Sequence, residues 1–153
     1  MRSLTLFLAT GFYSGYAPRA PGTAGSVVGA IVWWVIFVPL LRASPAAAVL
    51  LFAILFAAGC VISGQAEEIL GQPDSPMIVI DEVLGMVATL FFHPMTWPFL
   101  IGGFIAFRFF DILKPPPARQ IDRYMKGGTA VMLDDLAAAI YASLVLEIAS
   151  LVL

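Results

Sequence analysis

Five apolar stretches run along the chain, each closed by polar or turn-forming residues. From Ala24 to Leu41, AGSVVGAIVWWVIFVPLL is long enough to span a bilayer, for which roughly 20 apolar residues suffice. A short RASP turn leads to the second stretch, Ala46 to Ser63, whose helical pattern continues through QAEEIL. The turn cluster GQPDSP precedes a third, MIVIDEVLGMVATLFF, beginning at Met77. A fourth, Trp97 to Leu113, follows the turn at His93, Pro94 and Thr96, and three prolines, Pro115 to Pro117, stop it. The last begins near Ala130 and runs to the C-terminus.

Composition agrees with a membrane setting. The 153 residues are 61% hydrophobic and 12% charged, against about 45–50% and about 25% in soluble domains. The pattern therefore predicts an all-α integral membrane protein: one domain over residues 1–153, a compact bundle of about five transmembrane helices. The Gly/Pro-rich N-terminal segment, too punctuated for a regular element, fits a re-entrant piece if protein covers its backbone. MRSLTLFLATGFYSG resembles a signal peptide only superficially, because its apolar stretch is short, and it is expected to be retained.

Charge settles orientation and excludes partners. A net charge of -2 gives no basic excess for nucleic acid. Arg2 and Arg19 precede the first span, Lys114, Arg119, Arg123 and Lys126 follow the fourth, and Arg42 alone sits in the opposite loops. By the positive-inside rule the first set is cytoplasmic. The same alternation brings Asp81 and Glu82, Asp111, and Asp134 and Asp135 to that cytoplasmic end.

Acids at helix N-termini also favour the macrodipole, which is the structural reading of any one of them. The pairs Asp81-Glu82 and Asp134-Asp135 fit it less well, since adjacent anions repel and lie against apolar sequence. Asp111 sits near a helix C-terminus, where the dipole disfavours it. A hard divalent cation relieves this repulsion, and carboxylate oxygens are what Mg²⁺ selects. Arg108, one turn before Asp111, can orient that carboxylate or hold a substrate anion. In GFYSGYAPRAPGTAGS, the residues Gly22, Thr23, Gly25 and Ser26 at a helix entry offer backbone N–H groups to an anion, and Arg19 adds charge.

Other chemistries lack their residues. No Cys-x5-Arg loop or DxDx[TV] motif occurs, and the one histidine, His93, falls in the opposite loop as an interfacial turn residue. Cys60 reads as a small packing residue. The DGxxAR…GxxxDxxxD spacing of CDP-alcohol phosphotransferases is absent. A cation or proton transporter using intramembrane carboxylates expects charge near mid-span, whereas these acids cluster at one end, apart from Glu147, deep in the last span and near its distal end.

PGTAGS at Pro21 to Ser26, IVIDEVLG at Ile78 to Gly85, FRFFDILKPPP at Phe107 to Pro117, DR at Asp122 and Arg123, and GGTAVMLDD at Gly127 to Asp135 follow one another in an order and spacing that resembles the phosphatidylglycerophosphatase A family of bacterial inner membranes. The resemblance covers nearly the whole chain. It implies a Mg²⁺-dependent phosphatase that converts phosphatidylglycerophosphate to phosphatidylglycerol, with its active site on the cytoplasmic side. Asp81, Glu82, Asp134 and Asp135 would bind one or two metal ions, with Asp111 a further ligand or an orienting group. Arg19, Arg108, Lys114 and the Gly22 to Ser26 backbone would hold the substrate phosphate, and Arg123, like Arg119, the substrate or anionic lipid. The partners implied are the phospholipid substrate and membrane lipids; association between copies is left open.

Overall fold

Prolines and glycines set most helix boundaries. The structure, a computed structural model, describes residues 2–151. Among the described residues there is no strand, and the chain forms seven α-helices. These are α1 (Arg2–Ala9), α2 (Pro21–Ala43), α3 (Pro45–Leu70), α4 (Ile80–Leu90), α5 (Trp97–Leu113), α6 (Ala118–Tyr124) and α7 (Gly128–Ser150). Pro21, Pro45 and Pro98 each occupy a first-turn position, where a missing N–H costs no intrahelical bond. Ser44 caps α3, its Oγ accepting from the Ala47 N–H at 3.3 Å, and Gly71 closes it in the left-handed conformation. Pro39 cannot donate within α2, and a π-helical turn over Trp33–Phe37 precedes it.

The helices α2, α3 and α7 are long and apolar enough to cross a membrane. The expected bundle of about five transmembrane helices is corrected here: α5 has 17 residues, and α4, expected to span from Met77 onward, has 11. At 1.5 Å per residue α4 is about 16 Å long, roughly half a hydrocarbon core. Its start is delayed because the preceding segment is held elsewhere. The Val79 N–H donates to the Ala9 carbonyl at 2.9 Å, and the Ile78 N–H closes a turn onto Ser75. Its end is the His93-Pro94 turn.

Short as it is, α4 forms the centre of the bundle, packed against α2 on one side and α7 on another. Small residues let the neighbours approach. A Cβ on Gly29 would strike the Val83 carbonyl, and one on Gly25 would lie 2.8 Å from Val79 Cβ. Ala138 and Ala142 of α7 join Trp33, Phe37, Met86, Leu90 and Phe107 in the core. Residues 152 and 153 of the expected fifth span, and Met1, lie outside the described residues.

The N-terminal segment is more regular than its glycines and prolines predict. The helix α1 lies against the end of α3, burying Ala9 with Ala66 and Ile78. Gly11, Phe12 and Tyr13 turn through positive φ into a 3-10 turn, Ser14–Tyr16. The first membrane-length helix begins at Pro21 rather than Ala24, so Gly22 to Ser26 are helical.

At the opposite end, His93 lies in the expected turn but is buried by protein, stacked on Phe99 with ring centroids 5.4 Å apart. Its Nε2 lies 2.9 Å from Ser143 Oγ, and its Nδ1 lies 3.9 Å from a Glu147 carboxylate oxygen. Burial lowers the imidazole pKa against the opposing pull of Glu147. The glutamate that the sequence left unassigned thus partners the α4–α5 turn.

Candidate active site at one end of the bundle

Three helix ends meet at the end opposite His93. The first turn of α4 supplies Asp81 and Glu82, the last two turns of α5 supply Arg108 and Asp111, and α7 supplies Asp134 and Asp135. Sequence placed the last pair at the mouth of the fifth span. Because α7 starts at Gly128, the pair lies in its second turn and is buried, Asp134 at 6% and Asp135 at 4% exposure. That early start requires Gly128, where a Cβ would collide with the Cys60 carbonyl of α3.

Asp81, Glu82 and Asp135 each present a carboxylate oxygen within 4.8 Å of the other two. Three buried oxygens of the same residues, Asp81 Oδ1, Glu82 Oε2 and Asp135 Oδ2, have no hydrogen-bond partner. Asp111 and Asp134 add further negative charge to the group. Buried polar atoms are nearly always satisfied, so three orphaned anionic oxygens in one cluster fit a cation. An all-oxygen donor set is the one hard divalent ions take. Gly85 makes the cluster compact, since a Cβ there would lie 2.5 Å from the Phe107 ring and 3.5 Å from Asp135 Cβ.

Two cations flank the acids. Arg108 Nη1 lies 2.6 Å from Asp111 Oδ2, 3.8 Å from Glu82 Oε1 and 3.4 Å from Ser26 Oγ, while its buried Nε has no partner. The Arg108 charge therefore offsets the unfavourable position of Asp111 at a helix C-terminus. On the other flank, Lys114 Nζ donates to Asp134 Oδ2 at 2.6 Å and Asp122 Oδ1 at 2.9 Å. Burial alone would lower the Lys114 pKa, but these two carboxylates outweigh it and raise it, fixing the ammonium. Asp134, expected among the metal ligands, is thus held by Lys114 and stands outside the set of three.

The remaining sequence candidates divide. Ser26 and Gly22 reach the site, but Gly22 does so by giving room: a Cβ there would fall on Glu82 Oε1 and crowd Arg108 Nη1. Gly25 packs on Val79, and Thr23 uses its N–H on the Ala20 carbonyl within the first helical turn. The expected backbone cradle is therefore a helix packed closely against α4. Arg19 is exposed and forms no ion pair among the described residues, and exposed Arg123 lies over Tyr124, 5.6 Å from its centroid. Asp122, part of the DR motif, has no role that its sequence position indicates. Its part emerges only because α6 folds back over Lys114, a placement no local spacing signals. Cys60 is a free, half-buried thiol in α3.

Fold and site together define an all-helical protein with three membrane-length helices and a buried carboxylate cluster, flanked by Arg and Lys, at one end of them. The model of the family described as phosphatidylglycerophosphatase A matches residues 7–150. A Haemophilus influenzae protein named phosphatidylglycerophosphatase A is 41% identical over 140 residues, covering 90% of this chain and 83% of its own length. The Escherichia coli protein of that name is 35% identical over 138 residues, covering 89% and 77%. A Bacteroides thetaiotaomicron protein, provisionally named a phosphatidylinositol-3-phosphatase, is 35% identical over 154 residues, covering 95% and 93%. No solved structure matches. The chain belongs to the phosphatidylglycerophosphatase A family.

Proposed function

We propose that the chain is a Mg²⁺-dependent lipid phosphatase of phospholipid synthesis. Water and phosphatidylglycerophosphate give phosphatidylglycerol and inorganic phosphate, at the cytoplasmic face of the bacterial inner membrane. The observation that carries the reading is the trio of orphaned oxygens on Asp81, Glu82 and Asp135, set beside the unpartnered Nε of Arg108. Substrate identity rests on the names of the relatives from Haemophilus influenzae and Escherichia coli.

In this reading Asp81, Glu82 and Asp135 hold the cation. Bound Mg²⁺ supplies charge neutralisation of the phosphate and activation of water. Arg108, steadied by Asp111, and Lys114, steadied by Asp134 and Asp122, clamp the phosphate oxygens and stabilise charge as the glycerol oxygen leaves in line. Buried in the protein, the acids exclude bulk water from the metal side. Arg2, Arg19, Arg119, Arg123 and Lys126 belong to segments at the site end, which supports a cytoplasmic site. Phe7 of α1 and Phe12, Tyr13 and Tyr16 just after it form a run of ring contacts, as aromatics do at a membrane–water boundary.

The test is phosphate release by the purified chain in detergent micelles from phosphatidylglycerophosphate, phosphatidic acid and phosphatidylinositol-3-phosphate, with Mg²⁺ or with chelator. Turnover of phosphatidylglycerophosphate that requires Mg²⁺ and disappears in Glu82→Gln is expected. Activity indifferent to chelator would overturn the metal, and preference for phosphatidylinositol-3-phosphate would overturn the substrate.

A further inference from the structure

An apolar groove of about 370 Å³ runs along the outside of the bundle between α2 and α5. Its walls include Val27, Ile31 and Trp34 of α2 and Leu100, Ile101 and Phe104 of α5. Val27, Ile31 and Ile101 are each about half exposed, at 46%, 56% and 55%, so the groove opens outward rather than into the core.

Helical spacing ties this groove to the site. On α5, Leu100, Phe104 and Arg108 follow at four-residue intervals and share one face. On α2, Trp34, Ile31 and Val27 lead at three- and four-residue intervals to Thr23, one turn before Ser26, the residue whose Oγ accepts from Arg108. The apolar stripe therefore ends at a guanidinium. At its other end Trp34 packs edge-on against Trp97 with centroids 5.8 Å apart. Val27 and Trp34 are about 10 Å apart along the helix axis.

We propose that the α2–α5 groove seats one acyl chain of the phospholipid whose phosphate lies at Arg108. The inference rests on the lipid phosphatase reading above. Several features favour an acyl chain over a peptide or a second copy of this chain. The groove offers no polar partner for a peptide backbone, which carries obligatory hydrogen-bonding groups. It runs along the helices, the direction lipid chains take in a bilayer. One end of it leads to Arg108, whose Nε has no partner and is free to donate to a phosphate oxygen. The groove thus selects for a phosphate carried on a chain, and places the ester at the depth of the carboxylates.

The proposal is tested by filling the groove away from the machinery. Ala30→Phe narrows it from α2, and Ile101→Trp, at a half-exposed position that tolerates bulk, narrows it from α5. In micelles each variant is expected to raise KM for long-chain phosphatidylglycerophosphate at least fivefold with kcat kept, while turnover of the deacylated headgroup phosphate stays at the parent level. Equal losses on both substrates in both variants, or no change on either, would overturn the groove.

Photolabelling in phosphatidylcholine nanodiscs, with diazirine-tailed phosphatidic acid as probe, reads the groove independently of turnover. Crosslinks on α2 and α5 are expected, competed by unlabelled phosphatidic acid and weakened in Ile101→Trp. Equal labelling by diazirine-tailed phosphatidylcholine would mark only surrounding bilayer lipid and overturn the assignment. A parent enzyme that labels in the groove yet hydrolyses no lipid phosphate would sink the phosphatase reading alone.

Discussion

Replacing Asp135 by asparagine should stabilise the metal-free protein while disabling it. Asp135 is 4% exposed and presents an oxygen within 4.8 Å of oxygens on both Asp81 and Glu82. At an effective dielectric of about 20, two unit charges at that separation repel by about 3.5 kcal/mol. The amide removes two such repulsions and keeps the side chain's shape, and its NH₂ can donate to a neighbouring carboxylate. Arg108, 3.8 Å from Glu82, and proton uptake by the crowded buried acids already offset much of the strain, so the net gain is about 2–3 kcal/mol, or roughly 4–12 °C in Tm for a chain of this size.

Thermal unfolding in detergent with chelator, followed by circular dichroism, measures that gain. Repeating the scan with Mg²⁺ separates metal binding from bare electrostatics. A ligand at about 100 times its Kd adds about 2.7 kcal/mol to the parent, and the variant should show little of it. Activity should fall by about a hundredfold or more, since even residues that only support metal ligands cost about 10–100-fold. A variant less stable than the parent in chelator, or one that keeps the full Mg²⁺ shift, refutes the reasoning.

Three further outcomes follow from the same geometry. Lys114→Met leaves Asp134 buried without its 2.6 Å partner and should cost about 3 kcal/mol; the double variant with Asp134→Asn should recover most of it, and simple additivity in a denaturation cycle would contradict the pairing. Gly85→Ala drives a Cβ to 2.5 Å from the buried Phe107 ring and should destabilise by about 1–3 kcal/mol, read as a lower Tm together with lost turnover. His93 has a lowered pKa in the fold, so the unfolded chain binds its proton first, near pH 6.5. Its contribution is complete above that pH and declines as pH falls through the folded value. The slope of stability between about pH 6.5 and 5 should flatten in His93→Gln, and an unchanged slope would locate the titration elsewhere.

Sequence alone determined the class of fold and the place where its acids meet. Apolar runs of membrane length, turn clusters between them and alternating direction are local properties, and they sufficed to bring Asp81, Glu82, Asp111, Asp134 and Asp135 to one end. The motifs were specific enough to indicate the family. Tertiary packing decided what local pattern does not encode. The third apolar run became a buried helix of 11 residues because Val79 is tied to Ala9, and hydropathy does not distinguish a surrounding of protein from one of lipid. Gly22 and Gly85 turned out to admit Glu82, Arg108 and Phe107, since only the facing helix reveals what a missing Cβ makes room for. Among five convergent acids, the cations divide the group: Lys114 draws Asp134 aside, Arg108 holds Asp111, and the oxygens of Asp81, Glu82 and Asp135 are left without hydrogen-bond partners.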